Sequence, residues 1–150
     1  MYLTPEICYT RDEMMTQNLG FKFGRSLIGG SIVALHGDLG SGKTVFARGI
    51  AKGMGINEPI TSPTFNLVQE YQGRQWLLYH IDLYRIRNEY DALAFGIEHF
   101  LDNNNAITVI EWADRAHKLI ENAFYQVHIL CQDTEVREIK INLINSCHLS

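Results

Sequence analysis

Gly37-Asp38-Leu39-Gly40-Ser41-Gly42-Lys43-Thr44 is the stretch of sequence that decides the fold. It matches G-x-x-x-x-G-K-[ST], the phosphate-binding P-loop. The glycines let the backbone curl so that several N–H groups point at phosphate oxygens. The lysine carries a positive charge to the β- and γ-phosphates, and the threonine hydroxyl can bind Mg²⁺. Residues 38–44 are therefore predicted to hold the phosphate chain of a nucleotide.

The residues on either side of the loop supply the context that the motif requires. Residues 31–36 form a short apolar run of the buried-strand type. Residues 45–54 are predicted to form a helix with Phe46, Ile50 and Met54 on one face, and the N-terminal dipole of this helix faces the anion. The order strand, loop, helix favours a P-loop over a glycine turn that happens to precede a lysine.

Composition places the chain among ordinary globular proteins. Its 150 residues are 46% hydrophobic and 20% charged, with a net charge of −4, and are expected to form a single domain over residues 1–150. The negative charge argues against a preformed nucleic-acid surface. No apolar run reaches membrane-spanning length, and the first residues lack the basic and apolar regions of a signal peptide. The three cysteines are widely spaced, which favours free thiols and a cytoplasmic location.

Helix signals precede the P-loop. Thr10 and Glu13 have the spacing of a capping box, which predicts a helix that begins at Thr10 and continues to about Leu27. Gly20 and Gly24 weaken this helix but allow another element to pack closely against it. Its buried stripe is expected to consist of Met15, Leu19, Phe23 and Leu27.

The second half of the chain predicts a mixed sheet. Residues 66–71 and 75–82 flank a turn at residues 72–74 and are typical of a β-hairpin. Further strands are predicted at 106–110, 125–130 and 136–143, with short helices at 89–95 and 114–122. A hairpin adds antiparallel strands to the parallel core of a P-loop protein. The fold class is therefore α/β, a three-layer P-loop NTPase-like mixed sheet flanked by helices.

Acidic residues follow two of the predicted strands. Glu111 comes directly after the apolar strand 106–110, where a P-loop site needs an acid to hold Mg²⁺ or to polarise the attacking water. A plain strand-end glutamate is the alternative. Asp82 and Arg85 end the hairpin, at a position where ligand sites on open sheets concentrate, although they are also compatible with a surface ion pair.

The loop Thr61-Ser62-Pro63-Thr64-Phe65 carries a cluster of hydroxyl groups one helix beyond the P-loop. These hydroxyls either satisfy the turns of the loop itself or form a switch that senses the γ-phosphate or Mg²⁺. The six histidines are scattered, with no pairing to cysteine or carboxylate at metal-ligand spacing. His80 and His128 fall in strand patterns and are predicted to be core or rim residues.

Taken together, these motifs resemble the bacterial TsaE family, also called YjeE. The resemblance rests on the P-loop, on Thr61–Phe65, on His80-Ile81-Asp82-Leu83-Tyr84-Arg85, on Gly96-Ile97-Glu98 and on Glu111-Trp112. It implies a small P-loop ATPase with ATP, ADP and Mg²⁺ as ligands. It also implies a role in threonylcarbamoylation of tRNAs that read ANN codons, through the TsaB–TsaD complex. Contact with tRNA would then be indirect, and no membrane would be involved.

The resemblance also implies roles for individual residues. Lys43 would stabilise charge on the phosphates, Thr44 and Glu111 would be the Mg²⁺ ligands, and Asp82 would be a second acid near the metal. Thr61, Ser62 and Thr64 would form the switch. Trp112 and Arg85 would contact the nucleotide or a partner, although a buried structural role fits Trp112 equally well. Thr10 and Arg137 would lie at the rim of the nucleotide site.

Two other functions compete with this hypothesis. A small-molecule kinase fits the size of the chain and its single P-loop, but the sequence has no obvious acceptor pocket and no Arg-rich lid. A GTP-binding switch fits the threonine-rich loop, but the N-K-x-D pattern that would read guanine is missing.

Overall fold

A computed structural model of the chain describes residues 6–61, 63, 67–120 and 124–144. Its strands are β1 (Glu6–Thr10), β2 (Ile32–His36), β3 (Val68–Gln72), β4 (Leu77–Asp82), β5 (Ala106–Glu111), β6 (Tyr125–Cys131) and β7 (Arg137–Leu143). Its helices are α1 (Glu13–Ser26), α2 (Lys43–Gly53), α3 (Glu89–Ala94), α4 (Ile97–Leu101), a 3₁₀ helix (Ala113–Ala116) and α5 (His117–Ile120).

The seven strands form one sheet in the order β1-β7-β6-β2-β5-β4-β3. Strands β4, β5, β2 and β6 run parallel to one another. The hairpin strand β3 adds antiparallel to β4, as predicted. At the other edge β7 runs antiparallel to β6, and β1 runs antiparallel to β7. Strand β1 was not predicted from the sequence, because a short strand that pairs with residues more than 120 positions away leaves little local signal.

Helices cover both faces of the sheet, which confirms the predicted three-layer α/β architecture. Val33 and Ala34 are adjacent in β2 and point to opposite faces, as strand geometry requires. Val33 belongs to a core cluster that contains Phe46 and Ile50 of α2. Ala34 belongs to a second cluster that contains Ile97 of α4 together with residues of α3 and the 3₁₀ helix.

The start of α1 differs from the prediction. Thr10 is the last residue of β1, and Asp12 is the N-cap, since its carboxylate accepts a hydrogen bond of 2.7 Å from the Met15 amide. The predicted buried stripe is also wrong at Met15, which is 42% exposed. The residues of α1 that are buried are Thr16, Gly20 and Gly24.

The physical reason for this difference is the partner of α1, which is α2. A Cβ at Gly20 would lie 2.5 Å from the carbonyl oxygen of Phe46, and a Cβ at Gly49 would lie 2.2 Å from that of Gln17. The two backbones therefore meet where neither helix carries a side chain. Close packing at Gly20 and Gly24 is confirmed, while larger residues flank the contact.

Other predicted elements are confirmed with shifted ends. The helix expected at 114–122 is divided into the 3₁₀ helix and α5, and residues 121–123 lie outside the described ranges. Of the predicted switch, Thr61 is described, whereas Ser62, Thr64 and Phe65 are outside those ranges. Within the part of the chain that the structure describes, no helix combines the length and the hydropathy that a membrane span needs.

Candidate functional site: a phosphate-binding cleft

A cleft of about 910 Å³ opens at the carboxyl end of the parallel strands. This is where ligands bind in open α/β sheets, at the point where chain connections diverge to the two sides. We call it the phosphate cleft. Its lining residues are Arg11, Asp12, Glu13, Thr16, Leu39, Gly40, Gly42, Lys43, Thr44, Val45, Asp82, Tyr84, Glu111, Trp112, Thr134, Glu135 and Arg137.

The P-loop forms the floor of the cleft. It follows β2 directly and leads into α2, whose N-cap is Gly42 with a φ of +109°. Residues with a Cβ rarely adopt this backbone conformation, so glycine is needed at the turn that aims the first N–H groups of the helix. The free amides and the dipole at a helix N-terminus attract anions. The conformation of this turn is therefore compatible with the phosphate site that the motif predicts.

Lys43 lies over this loop and is only 5% exposed. Its ammonium group donates a hydrogen bond to the Gly37 carbonyl and lies 3.6 Å from the centroid of the Trp112 ring. Burial lowers the pKa of Lys43, while the carboxylates of Glu111 and Asp82 oppose that shift. The charge of Lys43 is therefore held inside the cleft by acidic groups and an aromatic face.

Glu111 lies at the centre of the site and is 2% exposed. One carboxylate oxygen, Oε1, accepts a hydrogen bond of 3.1 Å from the Thr44 hydroxyl. The other, Oε2, lies 2.6 Å from Nε2 of His80, which is itself 1% exposed. The structure therefore brings together Thr44 and Glu111, the two residues predicted to bind Mg²⁺.

The contact between His80 and Glu111 was missed in the sequence analysis, which predicted His80 as a core or rim residue. The available signal was the strand period of two, because His80 and Asp82 point to the same face of β4. In the parallel pairing of β4 with β5, Asp82 is the register partner of Glu111. Which residue of one strand faces which residue of the other depends on that register.

Asp82 and Trp112 form one wall of the cleft. Asp82 accepts a hydrogen bond of 2.9 Å from the Tyr84 amide, and the rings of Tyr84 and Trp112 lie 5.1 Å apart. Trp112 has a φ of +57°, a conformation that is rare for a bulky residue. Arg85 is exposed and is not among the residues that line the cleft.

The opposite wall comes from the beginning of α1 and the β6–β7 turn. Arg137 donates a hydrogen bond of 2.9 Å to the Ser41 carbonyl, which ties β7 to the P-loop. Thr10 is 3% exposed, and its hydroxyl is 2.6 Å from that of Thr16, so it supports the wall from behind. Asp12 and Thr16 were not predicted as site residues, and they line the cleft because α1 packs against α2.

Besides Arg85, four described residues of the predicted site are not among those that line the cleft: Thr10, Asp38, Ser41 and Thr61. Thr61 is exposed. Across the described ranges, no group of three or more His, Cys, Asp or Glu side chains is arranged to hold a metal ion. A metal at this site would therefore also need oxygen atoms from hydroxyl groups, water or bound phosphates.

Comparison with known proteins identifies the family. The family model described as "Threonylcarbamoyl adenosine biosynthesis protein TsaE" matches residues 10–139. The chain belongs to the TsaE family. As its description states, this family acts in threonylcarbamoyladenosine biosynthesis. The resemblance inferred from the motifs is confirmed over nearly the whole chain.

Individual relatives agree with this result. TsaE of Treponema pallidum is 43% identical over 108 residues, which cover 72% of this chain and 78% of the relative. TsaE of Nostoc sp. is 41% identical over 71% of this chain and 67% of its own length. TsaE of Rickettsia typhi is 37% identical over 89% of this chain and 92% of its own length. All three carry the name tRNA threonylcarbamoyladenosine biosynthesis protein.

A solved structure supports the fold. The crystal structure of Bacillus subtilis YdiB aligns with a TM-score of 0.70 and 28% sequence identity. The alignment covers 97% of this chain and 88% of that protein. The mixed sheet with helices on both faces is therefore the fold that this TsaE family member shares with a known protein.

Proposed function

We propose that this chain is a single-domain, Mg²⁺-dependent ATPase of the cytoplasm that serves tRNA threonylcarbamoylation by acting on the TsaB–TsaD complex. The observation that carries the proposal is the hydrogen bond between Thr44 and Glu111. It places a buried acid from β5 against the P-loop threonine, inside a cleft that also contains Lys43. This pairing of a strand-end acid with the P-loop is what phosphoryl transfer from a nucleotide requires.

The residues present fit ATP and Mg²⁺. The glycine-rich turn and the N-terminus of α2 offer backbone N–H groups to the phosphates. Thr44, Glu111 and Asp82 offer a hydroxyl and carboxylates, the oxygen ligands that Mg²⁺ prefers. Mg²⁺ usually binds through one or two carboxylates and substrate phosphates, which agrees with the lack of a larger acidic cluster among the described residues.

Each residue would contribute a separate effect to hydrolysis. Bound Mg²⁺ would supply positive charge to the β- and γ-phosphates. Lys43 would exchange its contact with the Gly37 carbonyl for phosphate oxygens and stabilise the charge that develops on them. Glu111 would orient and polarise the attacking water, with Asp82 as a second acid beside it on β4. Thr61, Ser62 and Thr64 would report the state of the γ-phosphate to the partner.

The TsaE resemblance implies the proposed partner, and the surface beside the cleft is suited to such a contact. Leu39 in the P-loop is 80% exposed, and Tyr84 at the cleft wall is 52% exposed. Apolar side chains of this size at the mouth of a nucleotide site are suited to a partner that senses the nucleotide. Contact with tRNA would pass through that partner, because the chain carries a net charge of −4.

The proposal is tested by threonylcarbamoylation of tRNA in a purified TsaB–TsaD system over many turnovers. Three samples are compared: no addition, the wild-type chain and the Lys43→Ala variant. We expect the wild type to sustain turnover with release of ADP and phosphate, and Lys43→Ala to fail. Lys52→Ala is the matched control, because it removes an exposed lysine from the last turn of the same helix.

The outcomes separate the competing functions. Equal support by the wild type and by Lys43→Ala would reduce the chain to a binding partner and refute the ATPase proposal. Support by neither would refute the role in the TsaB–TsaD system. Phosphate transfer to a metabolite, in place of release as free phosphate, would show a kinase.

A further inference from the structure

His80 is a buried histidine whose ring contacts the acid at the centre of the phosphate cleft. Its Nε2 lies 2.6 Å from Oε2 of Glu111, while Thr44 occupies the other carboxylate oxygen. We infer that His80 is a positioning residue, which holds Glu111 so that only Oε1 is presented to Thr44 and the P-loop. This inference rests on the proposed ATPase function and deepens it.

Strand geometry explains how His80 reaches Glu111. Strands β4 and β5 are parallel neighbours, with His80 opposite Val109 and Asp82 opposite Glu111. Alternate residues of a strand share a face, so His80 lies one pleat deeper than Asp82 on the face toward the P-loop. From β4 the His80 ring contacts the Glu111 carboxylate, and Thr44 contacts the same carboxylate from α2.

Two hydrogen bonds fix the carboxylate plane. The last torsion of a glutamate side chain has broad, shallow preferences, so an untethered Glu111 carboxylate would rotate readily. With Oε2 bonded to His80 and Oε1 to Thr44, the orientation is determined. A fixed acid beside the P-loop is useful because ligand orientation controls both metal affinity and the placement of an attacking water.

The hydrogen-bond geometry also assigns the tautomer of His80. An ionised carboxylate only accepts hydrogen bonds, so Nε2 carries the proton that bonds to Glu111. Nδ1 is buried and has no hydrogen-bond partner among the described residues. The proton on Nε2 is therefore the one that holds Oε2 of Glu111 in place.

The first test measures how much Mg²⁺ strengthens nucleotide binding. Binding of a fluorescent ADP analogue is compared with Mg²⁺ and with EDTA, for the wild type, His80→Leu and His80→Gln. Leucine removes the donor, whereas the glutamine amide places a donor near the original Nε2. The gain is the ratio of nucleotide affinity with Mg²⁺ to nucleotide affinity with EDTA. We expect this ratio to be about 10- to 100-fold smaller in His80→Leu than in the wild type, the usual effect of removing a group that orients a metal ligand. His80→Gln should retain most of that gain, and affinity in EDTA should stay unchanged in all three proteins.

A control separates positioning from folding. Ile81 is the next residue of β4, is 0% exposed, and packs in the core cluster on the opposite face of the sheet. Ile81→Ala should lose stability and keep the full gain from Mg²⁺. A normal gain in His80→Leu, or an equal loss in His80→Leu and His80→Gln, would overturn the inference.

A spectroscopic test needs no nucleotide. Nitrogen NMR of the histidine-labelled chain, with His80 assigned by comparison with His80→Gln, should show a protonated Nε2. An Nε2 without a proton would overturn the inference. A wild-type chain that binds nucleotide but never hydrolyses it, even with TsaB–TsaD, would refute the proposed ATPase function. The Mg²⁺ comparison and the NMR spectrum would then still decide the role of His80.

Discussion

Replacement of Gly24 by alanine tests the contact that sets α1 against the P-loop helix α2. A Cβ at Gly24 would lie 2.4 Å from the carbonyl oxygen of Ile50, 2.8 Å from its Cα and 2.9 Å from its carbonyl carbon. All three are backbone atoms, so no side-chain rotation can relieve the contact. Ordinary contacts between such atoms need about 3.5 Å, and the two helices would have to separate by about 1 Å.

Two opposing effects decide the magnitude. Alanine at an interior helix position is favoured over glycine by about 1 kcal/mol. Overpacking costs about 1–3 kcal/mol, and a clash with main-chain atoms belongs at the upper end of that range. The free energy of unfolding should therefore fall by about 2 kcal/mol, which lowers the Tm of a domain of this size by about 4–8 °C.

Thermal and urea unfolding, followed by circular dichroism, measure this change. Lys22→Ala is the matched control, because Lys22 is exposed on the same helix and surface substitutions usually change stability by less than about 0.5 kcal/mol. A Gly24→Ala variant as stable as the wild type, or more stable, would refute the reasoning. Helix propensity would then outweigh the packing of α1 on α2.

Three further predictions concern the cleft, the sheet and a helix end. Glu111→Gln should lower turnover at saturating nucleotide by about 100-fold or more in the full system, measured by phosphate release, because the amide cannot polarise water; normal hydrolysis would exclude Glu111 as the acid. Burial, followed by the charge of His36, holds the pKa of His128 below its usual 6.5, so the unfolded chain binds more protons there. The contribution of His128 to the free energy of unfolding is thus fully present above pH 6.5 and is lost as the pH falls toward the lower folded pKa. His128→Gln should make this decline shallower. Urea unfolding at a series of pH values measures the difference. Asn88→Ala should cost about 1 kcal/mol of stability, measured by thermal unfolding, because Asn88 caps α3 with a hydrogen bond of 3.1 Å from the Asp91 amide; an unchanged Tm would show that this cap is dispensable.

The parts of the fold that the sequence predicted are those with strong local signals. A stretch of about ten residues is enough to predict each of three features: the P-loop by glycine spacing, the strands β2 and β5 by apolar runs, and the β3–β4 hairpin by its turn. The P-loop and the two apolar strands place Lys43, Thr44 and Glu111 at the ends of buried strands. The candidate site could therefore be outlined before any contact was known.

Errors arose where a distant partner overrides a local preference. Thr10 has the spacing of a helix cap, but it pairs with Arg137 of β7 and belongs to β1. Asp12 is therefore the N-cap of α1. Met15 has the period of a core residue but is exposed. In both cases the local pattern was weaker than packing against an element far away in sequence.

By itself, the sequence determined the phosphate loop, the two strand-end acids and the class of fold, because each depends on residues that are neighbours in the chain. The tertiary structure alone decided that Glu111 bonds to Thr44 and His80, and that α1 contributes Asp12 and Thr16 to the cleft. Those contacts depend on the register of β4 against β5 and on the distance between two helices. Both are set by packing of the whole sheet and its covering helices, which no local stretch of sequence specifies.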